Sequence, residues 1–561
     1  MSNRFTLYIC ITFIWGLNGC MRGQELSVNI TGKDSLSEKL AQDYQWPKRL
    51  ISVDQIEDSM NGLIDTLAIQ GYFDVMLNRQ ESSENLQYNY LLAVGKISDT
   101  INLNVKDPKI AAQLAALGFR QDEGFRIPVH RLQSLLDKLV VASNKQGYPL
   151  AQLRLAQIER DAESVSAKLD FVSGNRRTID SLIIKGYEDF PSSFLKHYAK
   201  LNTGKTFDPE NILKASQSLD GLPFVNSTRD AETLFREEDT SVYLYLKKVN
   251  ANAFDGVLGF NTDTENGKLR FNGYLDLALV NNLNFGESLK IKYRGDGSDQ
   301  TNLNVDLTAP YLLKSPLTAV AGFNLFRRDT TFSTNRQQLR LQYQLSRKIA
   351  IGISGTLENA ESINDQLNSA TLADYTKSRA GLTFSFQSGD RASVFDPPDY
   401  LLAEAFLANR KTSQEKVDQT GLEIGAGKTF ALLPKFSILL KNQTFGLFSD
   451  GFFVNELYRI GGINSIRGFR ENSIDVNFAT VLNADLKYAV APDLLIQGIA
   501  DAAYFENEVT AQDGILYSLG LGTSLNTSGG IFSILLAKGF YPNATFELTD
   551  LITHIQFLLN F

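Results

Sequence analysis

From about residue 250 to the end of the chain, apolar and polar side chains alternate with a period of two. That period places successive side chains on opposite faces of an extended strand and is incompatible with a helix face. In Lys268–Val280, Leu269, Phe271, Leu275, Leu277 and Leu279 fall on one face, with Lys268, Arg270, Asn272 and Asp276 on the other. The pattern returns in Leu289–Arg294, Asn302–Ala309, Leu339–Ser346, Ala380–Gln387 and Phe436–Leu440. About sixteen segments can be counted from Phe254 onward, an even number as a bacterial transmembrane barrel requires; the one near Tyr400–Arg410 alternates least clearly. Charged residues opposite a clean apolar band imply a wet lumen and a lipid exterior, although a soluble sandwich also alternates.

Composition narrows the choice. The 561 residues are 43% hydrophobic and 21% charged, too apolar for disorder and too long for one ordinary domain. A polytopic helical protein needs repeated apolar runs of about 20 residues, and the longest apolar-rich run lies at the N-terminus. With a formal charge of −8 and no Lys/Arg-dense tract, the chain lacks the electrostatic footprint of a nucleic-acid binder.

Arg4 followed by the apolar stretch Phe5–Leu17 has the layout of a secretory signal, assigned to residues 1–19. Leu17-Asn18-Gly19-Cys20 resembles a bacterial lipobox, so Cys20 is the expected lipid attachment point. Cys10 lies in the signal, which leaves no second cysteine for a disulfide in the mature chain.

Between signal and barrel the chain repeats itself. Gln70-Gly71-Tyr72 recurs as Gln146-Gly147-Tyr148, each after an amphipathic helix. In the first helix Ser52 and Gln55 read as a capping box, and Ile56, Met60, Leu63 and Leu67 share a face. In the second, Leu132, Leu135, Leu136 and Leu139 do so. A third helix starts at Asp208-Pro209, an N-cap with proline at the first helical position, and ends at Gly221. Two β-rich segments follow each helix, the second being Tyr88–Val94, Val165–Val172 and Ser241–Val249. New strands then open at Thr100–Val105 and Thr178–Ile184, which makes the unit β-α-α-β-β.

This order resembles the POTRA domain, with copies at residues 25–97, 98–176 and 177–249 ahead of a transmembrane antiparallel β-barrel over residues 250–561. The long loop after Phe436–Phe445, expected to reach the next strand near Ile474, carries Gly446, Gly451, Gly461, Gly462 and Gly468. Its segment Gly461-Gly462-Ile463-Asn464-Ser465-Ile466-Arg467-Gly468-Phe469 resembles the inward-folded loop motif of BamA, TamA and the two-partner secretion transporters. The resemblance implies that Arg467 reaches into the lumen and pairs with a carboxylate on a following strand, for which Asp485 and Asp501 are the candidates. Alternation puts Asn483, Asp485 and Lys487 on the inward face. In the last segment Leu551, Ile555, Phe557, Leu559 and Phe561 share a face, and the terminal aromatic resembles the sorting signal of outer-membrane barrels.

No reaction chemistry competes with this reading. His130, His197 and His554 have no metal-ligand spacing, each reading as a surface or lumen polar residue, and no cofactor is expected. Gly425-Ala426-Gly427-Lys428-Thr429 looks like the end of a phosphate loop, but Leu422 stands where its first glycine belongs and the segment alternates as barrel wall. Gly352-Ile353-Ser354-Gly355 lacks the spacing of a nucleophile elbow. The resemblance implies a non-enzymatic outer-membrane assembly or translocation factor, closest in layout to TamA. Its implied partners are the outer-membrane bilayer, unfolded outer-membrane or secreted clients and a TamB-like inner-membrane protein. A two-partner secretion transporter is the alternative, and a structural or adhesive porin-like barrel a further rival.

Overall fold

A computed structural model describes residues 27–44, 52–80, 87–160, 164–262, 269–296, 300–328, 331–363, 371–389, 393–527, 529–541 and 551–559. The signal segment, Cys20 and Phe561 lie outside them, and Leu559 is described in its backbone alone. The chain forms two compact units, Met1–Thr178 with Thr206–Glu210, and Ile179–Lys205 with Asn211–Phe561.

The first unit begins with β1 (Ser27–Gly32), helices Ser35–Asp43 and Val53–Ile69, β2 (Met76–Gln80) and β3 (Gln87–Ala93), in sheet order β1-β3-β2. Asp34 and Ser52 cap the two helices by accepting from the Ser37 and Gln55 backbone N–H groups at 2.8 and 3.3 Å. Ile56, Met60, Leu63 and Leu67 are buried against the sheet. The second repeat comprises β4 (Thr100–Val105), helix Pro108–Ala116, β5 (Phe125–Pro128), helix Val129–Lys145, β6 (Gln152–Arg160) and β7 (Val165–Val172). Its order β5-β4-β7-β6 has one strand more than the β-α-α-β-β pattern, because Phe125 and Ile127 bury their side chains and Pro128 then turns the chain into the helix. Leu132, Leu135 and Leu139 are buried there, with Leu136 packed at the margin. The repeated Gln-Gly-Tyr has a conformational cause. Gly71 and Gly147 take φ +103° and +93°, and the next residue's N–H bonds back to Leu67 O and Ser143 O, closing both helices in the left-handed cap that glycine favours.

The second unit opens with β8 (Ser181–Lys185), a single π-helical turn at Phe194–Tyr198, helix Pro209–Leu219 (in this unit from Asn211), β9 (Val225–Phe235) and β10 (Thr240–Lys248), ordered β8-β10-β9. This repeat is seated on barrel turns. The Tyr187 hydroxyl donates to Asn284 and accepts from Asn281, both at 2.8 Å, and the Phe194 ring meets Tyr311 edge-on at 4.8 Å. His197 Nε2 lies 2.9 Å from Lys314 O and its ring stacks on Tyr311.

Sixteen antiparallel strands follow in one sheet, each beside its neighbour in sequence. They are β11 (Ala253–Thr262), β12 (Leu269–Val280), β13 (Ser288–Asp296), β14 (Gln300–Ala309), β15 (Leu317–Arg328), β16 (Phe332–Gln344), β17 (Ile349–Ser362) and β18 (Tyr375–Gln387). Next come β19 (Tyr400–Lys411), β20 (Lys416–Leu433) and β21 (Phe436–Phe448), and then two short strands outside the sheet, β22 (Tyr458–Ile460) and β23 (Ile474–Val476). The wall resumes with β24 (Phe478–Ala491), β25 (Leu494–Asn507), β26 (Gln512–Asn526), β27 (Gly530–Phe540) and β28 (Ile552–Leu559). Outward residues such as Leu382 and Leu521 are 70% and 68% exposed, whereas inward Glu358 and Asp485 are 5% and 4% exposed. An apolar exterior around a polar interior is the surface of a barrel in a bilayer, inverted relative to a soluble sandwich.

Two local expectations need correction. Ile474 does not start a wall strand: Ile474–Val476 pairs antiparallel with Tyr458–Ile460 inside the long loop, and the wall begins at Phe478. The weak segment Tyr400–Arg410 is a full strand whose lumen face mixes Glu404 and Arg410 with Phe406 and Ala408. The latter two pack with Leu447 against Phe452 and Tyr458 of the loop, which blurs the alternation.

Candidate functional site

Residues 449–477, between β21 and β24, fold back into the barrel. The wrapped sheet shows in their contacts, which run from β14 to β28. Near one wall, a short 3-10 turn at Val454–Glu456 places Glu456 among the inward side chains of β18–β20. Its carboxylate accepts from Lys377 Nζ at 3.2 Å and Gln419 Nε2 at 3.1 Å, and pairs with Arg410. It also accepts from the Phe453 backbone N–H at 2.9 Å, which fixes the turn. On β15, Arg328 forks onto Asp475 of β23 at 2.8 and 2.9 Å, and Gln300 of β14 accepts from Asn472 at 3.4 Å.

The segment Gly461–Phe469 lies against the wall from β24 to β28. Gly461 and Gly462 turn the chain after β22, both with positive φ. Arg467 then meets both candidate carboxylates. Its Nε and Nη2 donate to Asp501 Oδ2 and Oδ1 at 2.9 and 2.5 Å, and its own backbone N–H donates to Asp501 Oδ2 at 2.9 Å. Nη1 sits 2.6 Å from Asp485 Oδ1 without hydrogen-bond alignment, so this second contact is ionic. Asp501 on β25 thus takes the bidentate fork, and Asp485 on β24 meets the remaining nitrogen of the guanidinium. All three side chains are at most 5% exposed.

Gly468 follows with φ +78°, and a Cβ there would run into Gly539 N and Lys538 C. Only glycine lets the loop backbone approach β27 this closely, which allows Gly468 O to accept from the Gly539 N–H at 3.1 Å. Phe469 is buried, its ring over Gly539 and edge-on to Tyr541 at 5.1 Å. Of the C-terminal residues, Phe557 is described on β28, opposite Phe532 of β27.

Several lumen residues cannot be picked out from the sequence. Glu456 belongs to no motif, and its partners lie 37 to 79 residues away in the chain. The inward positions of Lys377, Arg410 and Gln419 are legible from alternation, but their shared loop partner is not. Asp396, in the turn after β18, pairs with Lys487 of β24 at 2.7 Å, with both side chains buried. His554, read as a generic polar residue, accepts from the Gly468 backbone N–H at 3.1 Å.

No protein-family model matches the chain, and no curated protein is a significant match. Among solved structures, BamA from Haemophilus ducreyi lacking POTRA domains 1-3 superposes with a TM-score of 0.51 at 15% identity, covering 82% of this chain and 97% of that one. The fold is that of BamA. The match spans more of the chain than the barrel, so the BamA fold extends into the α+β repeats before it. CdiB from Acinetobacter baumannii (TM-score 0.49, 13% identity, 93% of this chain and 98% of that one) and CdiB from Escherichia coli (0.48, 14%, 90% and 96%) are also similar.

Proposed function

We propose that the protein is an outer-membrane factor, closest in layout to TamA, that assembles or inserts other barrel proteins by offering them a strand edge. The observation that supports this most is the sheet order, which begins on β11 and ends on β28; among the described residues no ladder joins the two. An edge of unpaired N–H and C=O groups in hydrocarbon costs several kcal/mol per group, so a client strand that pairs there is stabilised in the bilayer. The edges of the three N-terminal sheets offer the same capture by β-augmentation before insertion. The work is binding, with no covalent step. The partners in this reading are the lipid bilayer, unfolded outer-membrane clients and a TamB-like inner-membrane protein. The N-terminal repeats are then periplasmic, Cys20 is the lipid anchor, and Phe557, Leu559 and Phe561 form the targeting signal of this barrel.

A two-partner secretion transporter is the second reading, and the lumen loop does not decide between the two, because its Gly461–Phe469 motif resembles that of both. Depletion followed by outer-membrane proteomics tests the proposal. Loss of several unrelated barrels is expected, and loss of a single secreted protein would instead identify a transporter.

A further inference from the structure

We propose that His554 is the positioning residue that ties the lumen loop to the last barrel strand, so that the loop governs how freely β28 leaves its place in the wall. The inference deepens the strand-edge reading and rests on it only for its functional consequence.

Three hydrogen-bonding groups of the Arg467–Gly468 backbone are spent on three different wall strands. The Arg467 N–H donates to Asp501 of β25, the Gly468 N–H to His554 Nε2 of β28, and Gly468 O accepts from Gly539 of β27. The last of these strands differs from the others. β25 and β27 have ladders on both sides, whereas among the described residues β28 has one ladder, of eight pairs, to β27. A contact from inside the lumen therefore adds most where the lateral support is least. His554 lies opposite Leu535 in that ladder, is 9% exposed and points inward, while its neighbour Ile555 is 66% exposed on the outer face.

The contact also dictates the state of the imidazole. Nε2 faces an N–H donor, so it must be bare, and the ring is neutral with its proton on Nδ1. The charged groups around it are Arg467 and Asp501, already paired with each other, and Lys538 on β27 beside Gly468. A neutral acceptor fits a place with a guanidinium close by, whereas a lysine or arginine at 554 would set donor against donor.

Hydrogen–deuterium exchange of the full-length protein in lipid tests the assignment without any client. His554→Leu keeps bulk and removes the acceptor. It is expected to raise exchange in β28 and at Gly468 by about tenfold, the scale of one hydrogen bond, with β15–β18 unchanged. His554→Gln, whose amide oxygen can accept, is expected to restore most of the protection. Unchanged exchange in His554→Leu, an equal rise in every strand, or a glutamine variant as fast as leucine would each overturn the proposal. Should the leucine variant fail to fold, nitrogen-15 NMR of histidine-labelled wild type still decides: an Nδ1-protonated ring with a bare Nε2 is expected at neutral pH, and an Nε2–H tautomer or imidazolium refutes it. Because both readouts are structural, they stand whether or not the chain proves to assemble clients.

Discussion

At residue 467 only a guanidinium meets the geometry, since Nε and Nη2 fork onto Asp501 while Nη1 reaches Asp485. Truncation leaves two buried carboxylates facing one another unpaired, a loss of about 3–5 kcal/mol. Arg467→Ala is therefore expected to lower the unfolding temperature in heat-modifiability gels, with Arg467→Lys in between; a wild-type midpoint for alanine would contradict the pairing. Asp34 acts at the same scale in the first repeat, where its carboxyl is held below its ordinary value of 3.8, first by the Ser37 backbone N–H and then by the Ser37 side chain. A depressed carboxyl contributes stability above its unfolded value and loses it as pH falls through the lower folded one. Protection of helix Ser35–Asp43, exchange being taken relative to its intrinsic rate at each pH, should accordingly fall as the solution is acidified below about pH 4. Asp34→Ala should be less protected at neutral pH and lose that acid-dependent fall, and an acid limb identical to wild type would contradict the cap's role.

At the scale of the element, the lumen loop is a strap held at both ends, by Glu456 on β18–β20 and by Arg467 on β24–β25. Glu456→Ala leaves Arg410 and Lys377 without their buried carboxylate while the Arg467 end stays fastened. It is expected to increase single-channel conductance in planar bilayers over wild type, and an unchanged conductance would show that this end does not block the lumen. Which parts of this strap are legible in the sequence follows from chain distance. Alternation places Asp485 and Lys487 inward, and the loop motif singles out Arg467, because both signals are local. Sequence also carries the Gln-Gly-Tyr helix caps, whose cause is a backbone conformation. It does not carry the pairing of Glu456 with Arg410, 46 residues away, or of Asp396 with Lys487, 91 residues away, since those depend on how far the sheet curls. The β22–β23 hairpin and β19 are obscured for a related reason: packing between loop and wall makes lumen-facing positions apolar, which erases the contrast that alternation relies on.

At the scale of the whole molecule, the second unit joins the third repeat to the barrel through polar and aromatic contacts at turns. Tyr187→Phe removes a hydroxyl bonded to both Asn281 and Asn284, each bond worth about 0.5–1.5 kcal/mol. Faster exchange is expected in residues 281–287 with barrel melting unchanged, and unaltered exchange there would mean that the tyrosine does not hold the repeat in place. The first and last strands of the barrel sheet are its two ends, and in the proposed function a client strand is received at those edges. The most direct measurement is the folding rate of an outer-membrane barrel client into proteoliposomes containing this protein, with one cysteine introduced in β11 and another in β28. Client folding is expected to accelerate when the pair is reduced and not when it is oxidised. Equal acceleration in both states would contradict strand reception at these edges.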